Sequence, residues 1–207
     1  MTANKSLAKL INRGDPAEFH KACRELDEAA LNLSTLTFKG LNLSGFDFSG
    51  FDLTNTEWEN CDLDECLFRE ADLSGAYLHG CGLVGCDLLD ANLDGAAVDG
   101  CVFKHVTIFG TVLNDSELSN SEFHTCHISA VQMTDVNWSF VSFNDCTLEK
   151  IEAATGEAKG LTLREVRMTD VNWSGLDVGR STYRESTMLR VELPDGFSVR
   201  SGKRREL

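Results

Sequence analysis

The sequence predicts an all-β solenoid with four flat sides, and three observations predict it. Every fifth residue from Leu33 to Leu193 is apolar, 33 positions without a break. From Ala71 to Cys146 the residue two before each of these is small or medium and mostly apolar, as in Ala71, Cys81, Cys101 and Val131. Prolines number two and glycines 17 in 207 residues, which is unusual for a β protein assembled from tight Pro and Gly hairpins.

A period of five fits neither a helix nor a simple strand. An amphipathic helix would carry the apolar pair around its surface within three units. A chain buries two registers in every five only by turning a corner once per unit. Four corners close a coil of about 20 residues, and successive coils hydrogen-bond at about the 4.8 Å strand spacing. The large residue of each unit then fills the centre, and the small one sits where the corner narrows the interior. Residues 31–193 give about eight such coils, a rod about 40 Å long in which each coil touches only its neighbours.

Units such as Ala71–Gly75 (ADLSG) and Ala91–Gly95 (ANLDG) resemble the pentapeptide-repeat proteins, and the resemblance covers about four fifths of the chain. It implies a right-handed quadrilateral β-helix. Members that confer quinolone resistance, or protect their hosts from topoisomerase poisons, are acidic rods that resemble DNA and occupy the DNA-binding saddle of gyrase or topoisomerase IV. The present chain is similar in length and charge. It departs from the plasmid-borne resistance group in lacking clear loop insertions and in carrying helices at its N-terminus.

Residues 1–30 break the period. KSLAKLI reads as a short amphipathic turn or two, and Asp15-Pro16 as an N-cap followed by proline at the first helical position. Phe19, Ala22, Cys23 and Leu26 follow at helical spacing. An open first coil needs covering, so this segment is expected to cap the rod. Within the solenoid, 151–160 keeps the phase but fills its centres with Ala153 and Ala158, which leaves either a narrowed coil or a loop. Pro194 ends the repeats, and 194–207 is expected to be a tail. The family often pairs two rods through their C-terminal coils, which implies a homodimer involving Trp173, Tyr183, Met188 and Leu193.

Seven of the eight cysteines fall on the small inward register, where a thiol acts as a small hydrophobe. Stacked neighbours do not wrap a tetrahedral ion, so no metal or other cofactor is expected. The five histidines lie at no spacing that suggests a nucleophilic triad, and flat solenoid faces offer no pocket for a perturbed acid or base. No enzyme is expected. No run approaches the roughly 18 apolar residues of a membrane span, and the N-terminus has no secretory apolar core, which points to the cytoplasm.

The formal charge is −14, which argues against direct nucleic-acid binding and for a basic partner. Residues 31–160 carry 21 acids and five bases, whereas 161–207 carry seven acids and nine bases. One face bears Asp52, Asp72, Asp94, Asp115, Asp135 and Glu152, one acid per coil, with no Lys or Arg from Asn32 to Thr155. The adjacent face carries a patchier run: Glu57, Glu59, Asp99, Glu117 and Glu157. A column of carboxylates about 5 Å apart copies a phosphate backbone crudely. These six acids are the candidate partner-binding residues, for gyrase or topoisomerase IV. The alternative is a scaffold rod that presents one face to another protein without mimicking DNA.

Overall fold

The computed structural model describes residues 3–26, 31–153, 155–195 and 197–199. From Leu31 onward the chain is a parallel solenoid in which partners lie 20 residues apart: Phe38 pairs with Trp58, Trp58 with Leu78 and Leu78 with Val98. We number the four faces by their central residues, beginning with Leu33 (first), Phe38 (second), Leu43 (third) and Phe48 (fourth). The third face carries a seven-stranded sheet from Gly82–Val84 to Ser198–Val199. The second is split into sheets of four and three strands. The first is joined in its N-terminal half by single bridges, Asn32 to Asp52 to Asp72 to Asn92.

The corners explain how a chain with little proline turns so often. The residue two after nearly every centre adopts the left-handed conformation, and 20 of these described residues are not glycine, among them Asn55, Glu65, His105, Asp115 and Lys150. That conformation costs an L-residue about 1–2 kcal/mol, which the coil-to-coil ladder on either side of the corner offsets. Where the corner below carries a side chain, the corner above is often glycine. A Cβ on Gly80 would meet Asn60 Oδ1, and one on Gly160 would meet the ring of Phe140.

The small register has a polar duty as well. Its thiols and hydroxyls donate to the carbonyl of a central residue in the coil below: Cys66 to Leu43 at 3.0 Å, Cys86 to Leu63 at 2.9 Å, Thr111 to Leu88 at 2.7 Å. They also accept from the backbone of that coil, as when the Cys101 N–H donates to Ser121 Oγ at 3.2 Å. Cys, Ser and Thr therefore interchange with Ala and Val at this position. The inward cysteines are all free and buried, and burial pushes the Cys86 thiol up to about 12.

At 151–160 the chain stays in the solenoid. Ala153 and Ala158 are fully buried, and the space they leave is filled from the coils on either side. Trp138 and Trp173 meet there edge to face, with ring centroids 5.3 Å apart. The corner is displaced onto Gly156, at φ 136°, where any Cβ would strike the Val136 backbone. Ala154 lies outside the described residues.

Both ends are covered. Two helices, α1 (Ala3–Arg13) and α2 (Pro16–Cys23), bury Leu7, Ile11 and Phe19 against the first coil. Phe19 packs on Phe46, Phe48 and Phe51 at 5.1–5.7 Å. Asp15 caps α2 by accepting the Glu18 N–H at 3.1 Å, and the Asp47 N–H donates to His20 Nε2 at 2.8 Å, tying the cap to the rod. Residues 1–2 and 27–30 of the expected cap lie outside the described residues. At the other end the 20-residue register is lost after Pro194, and part of the expected tail joins the third-face sheet: Ser198–Val199 pairs in parallel with Thr182–Tyr183, 16 residues earlier, and Phe197 packs on Tyr183 at 6.2 Å. Of the expected tail, 196 and 200–207 lie outside the described residues.

Candidate functional site

The outward positions of each unit are shaped first by backbone chemistry. An Asp or Asn just before the centre accepts the N–H two residues on: Asp52 from Thr54 at 3.1 Å, Asp72 from Ser74 at 3.0 Å, Asp87 from Leu89 at 3.0 Å. This is the local side-chain-to-backbone bonding that favours Asp and Asn at turns. Asp72 also accepts the Asn92 amide at 3.1 Å, and Asp52 the Asn32 amide. Both are half-buried and occupied.

The six acids of the first face do not form one straight column. Asp52, Asp72 and Glu152 share the ladder position before the centre, but Asn92, Val112 and Gln132 interrupt that line. Asp94 follows its centre, and Asp115 and Asp135 occupy left-handed corners at φ 53° and 55°. The result is a staggered band in which Asp94, Asp115, Asp135 and Glu152 are exposed. Its C-terminal end is not free of bases, because Glu152 and Lys150 line the same groove. Arg190 also bridges Asp170 on that corner, with Nη2 donating at 2.8 Å, and holds its carboxyl below the usual range.

The second face is more neutral than its acids suggest. Glu59 meets Lys39 at 2.6 Å, Asp99 meets His79 at 3.1 Å, and Glu157 meets Lys159 at 3.1 Å. The Lys39 ammonium hydrogen-bonds Glu59 and lowers its pKa.

The clearer asymmetry runs along the rod. Residues 40–103 carry 13 acids on all four faces and a single base, Arg69, which Asp87 holds at 2.7 Å. Residues 147–195 carry nine acids and seven bases. Within the acidic half, partial burial raises the Asp64 pKa, and the neighbouring Asp62 and Glu65 add to the rise, while the Val84 N–H donated to its carboxylate opposes it.

Of the residues expected at a dimer contact, Trp173 is fully buried inside its own coil and has no surface to offer. Tyr183 and Met188 are each 9% exposed, and with Val191, Leu193 and Phe197 they line a recess of about 510 Å³ at the C-terminal end. Sequence reasoning missed three exposed aromatic residues: Tyr77, Phe109 and Phe140, at 42%, 45% and 68%. Their signal was present, since each stands at an outward position that most units fill with a polar residue or glycine. Among the described residues no three His, Cys, Asp or Glu side chains are grouped to hold a metal ion.

A comparison with curated proteins finds no match. Among solved structures, the chain is similar to HetL, a pentapeptide repeat protein involved in heterocyst differentiation regulation from Nostoc sp. strain PCC 7120, at 17% identity. That match covers 80% of this chain and 84% of HetL, with a TM-score of 0.32. It is similar to full-length QnrB1, a plasmid-mediated fluoroquinolone resistance protein, at 18% identity, covering 82% of this chain and 94% of that one, with a TM-score of 0.32. A third is Rfr23 from the cyanobacterium Cyanothece 51142, at 15% identity, covering 56% and 89%, with a TM-score of 0.43. Two family models match: pentapeptide repeats (8 copies) over residues 32–69 and 47–83, and a pentapeptide repeat region over 76–152. Together they span more than half of the chain, in phase with the five-residue corners and the 20-residue ladder, and the chain belongs to the pentapeptide-repeat family.

Proposed function

We propose that the protein is a non-enzymatic binding rod whose acidic N-terminal half docks on a cationic, DNA-binding protein surface in the manner of a DNA mimic, with a type II topoisomerase such as gyrase as the candidate partner. The observation that carries this reading is the concentration of acids that begins with 13 against one base over residues 40–103 and continues through Asp115 and Asp135, giving 18 acids against two bases over residues 40–145. Like charges packed this densely repel one another and cost folding stability. A cationic partner relieves that repulsion and is drawn in by it, so association is fast and weakens with salt beyond a Debye length of about 8 Å.

The test is gyrase supercoiling with and without the purified protein, and with a variant carrying Asp94→Asn, Asp115→Asn and Asp135→Asn. All three acids are exposed, and asparagine tolerates the left-handed corners at 115 and 135. The variant is expected to associate more slowly, with an unchanged or raised melting temperature. A parent protein that neither binds gyrase nor alters supercoiling would favour the scaffold reading. That second reading is supported by Tyr77, Phe109 and Phe140, exposed aromatic surface for which charge mimicry has no use.

A further inference from the structure

The fourth face of the acidic half carries an apolar strip. Leu67 stands before its centre, bridged in register to Asp47 below and Asp87 above. Leu89 and Phe109 stand after theirs on the next two coils, aligned with each other by the Leu88 N–H to Thr107 carbonyl bond at 3.0 Å and the Asp90 N–H to Phe109 carbonyl bond at 2.8 Å. Leu67 therefore lies one column aside, and the strip runs diagonally past the Arg69–Asp87 pair, which separates Leu67 from Leu89. Phe109 is 45% exposed, and both leucines are half-buried. Carboxylates rim the strip: Asp47 and Asp87 in the Leu67 column, Glu70 and Asp90 on the corner beside Leu89. On the fourth face itself the one Lys or Arg of these coils is Arg69, already paired with Asp87, and Lys104 is exposed on the neighbouring third face.

Outward leucine and phenylalanine at positions that the repeat usually makes polar add nothing to the core. Apolar surface rimmed by charge is the signature of a contact site. The spacing suits a helix. Leu67 to Phe109 spans two coil intervals, about 10 Å, and two residues across the face, about 7 Å, hence about 12 Å in all, close to the roughly 11 Å of two helical turns, so apolar residues at i, i+3 or i+4 and i+7 follow the diagonal.

We infer that the fourth face around Leu67, Leu89 and Phe109 docks a cationic amphipathic helix of a partner protein, its apolar side on the strip and its Lys and Arg on the carboxylate rim. The inference rests on the acidic-rod reading only for the sign of the partner's charge.

The experiment uses the full chain and two peptides of equal charge. One is a helical Leu/Lys peptide of about 18 residues with leucine along one side, the other an oligolysine. By calorimetry at physiological salt, the Leu/Lys peptide is expected to bind at least about tenfold more tightly than oligolysine. Leu89→Ser with Phe109→Ser is expected to abolish that ratio while leaving oligolysine binding unchanged. Phe109→Thr alone, a milder change at a strand position, should reduce the ratio and guards against misfolding of the pair. The Asp94, Asp115 and Asp135 variant should weaken both peptides and keep the ratio. Equal binding of the two peptides by the parent chain, or a ratio that survives the double substitution, overturns the inference. So does self-association of the parent that Phe109→Ser abolishes, because a second copy would then own the face. Gyrase inhibition is read separately, so its absence leaves the peptide ratio standing, and loss of the ratio leaves the supercoiling result standing.

Discussion

The indole N–H of Trp58 donates to the Thr56 hydroxyl at 2.8 Å, and the Thr56 hydroxyl in turn donates to the Leu53 carbonyl at 2.7 Å. The same unit position below Trp138 is Val136, and below Trp173 it is Val171. Both of these indole nitrogens are buried without a partner. A buried polar group left unpaired costs about 1–3 kcal/mol.

Val136→Thr is therefore expected to stabilise the protein by about 1 kcal/mol, supplying Trp138 with the acceptor that Thr56 supplies to Trp58. Thr56→Val should destabilise by about 1–3 kcal/mol. Urea unfolding of both variants checks the pair. A Val136→Thr chain less stable than the parent would mean that the hydroxyl finds no route to the indole.

Leu113 is 4% exposed and stacked between neighbouring coils. Leu113→Asp buries an unpaired charge and is expected to cost more than about 4 kcal/mol or prevent folding. Asp94→Asn, on the exposed side of the same face, should stay within about 0.5 kcal/mol of the parent. Denaturation midpoints that moved together would contradict the register.

The Asp64 carboxyl is harder to ionise in the folded chain than in the unfolded one, chiefly because it is partly buried. For such a group stability falls as pH rises through its titration, since the native state binds protons more tightly. Asp64→Asn is expected to raise the melting temperature at about pH 7 and to leave it nearly unchanged at about pH 3, where the parent side chain is also uncharged. Thermal melts at the two pH values check this. An equal shift at both would trace the effect to packing.

The recess at the C-terminal end presents Val191, Leu193 and Phe197 together. We expect a homodimer joined there, which Leu193→Asp should reduce to a monomer by light scattering while far-ultraviolet circular dichroism stays unchanged. A dimer that persists would place the contact on another surface.

Most of the architecture was legible because one rule, five residues to a corner, governs both core and turn. Each central residue from Leu33 to Met188 is buried where the period puts it. The fate of 151–160 was not legible. Ala153 and Ala158 look like a gap in one dimension, and only the stacking of coils brings Trp138 and Trp173 across it. The acidic band was half legible. Period five assigns a face, but the three outward positions of a unit are not equivalent, so one acid per coil became a stagger. Pairing also escapes a residue list: Glu59, Asp99 and Glu157 look like an acidic run until Lys39, His79 and Lys159 are seen beside them. Trp173 failed as a contact residue because it was judged by its closeness to the chain end, whereas its coil lies one turn inside the last.

The repeated left-handed corner sets an arithmetic for insertions and deletions. Removing one residue would push every later central residue outward and turn acids beside a centre, such as Asp94 and Glu152, inward, while corner acids such as Asp135 stay outside. Removing five would leave the core pattern intact but rotate all that follows by one face, so Leu89 and Phe109 would leave the face of Leu67 and the carboxylates would be dealt to new sides. Only a change of 20 residues preserves both interior and surface pattern, lengthening or shortening the rod by one coil. The fold is thus read modulo five and the binding surface modulo twenty, and a lineage of such rods can rewrite what it binds while its core pattern stays the same.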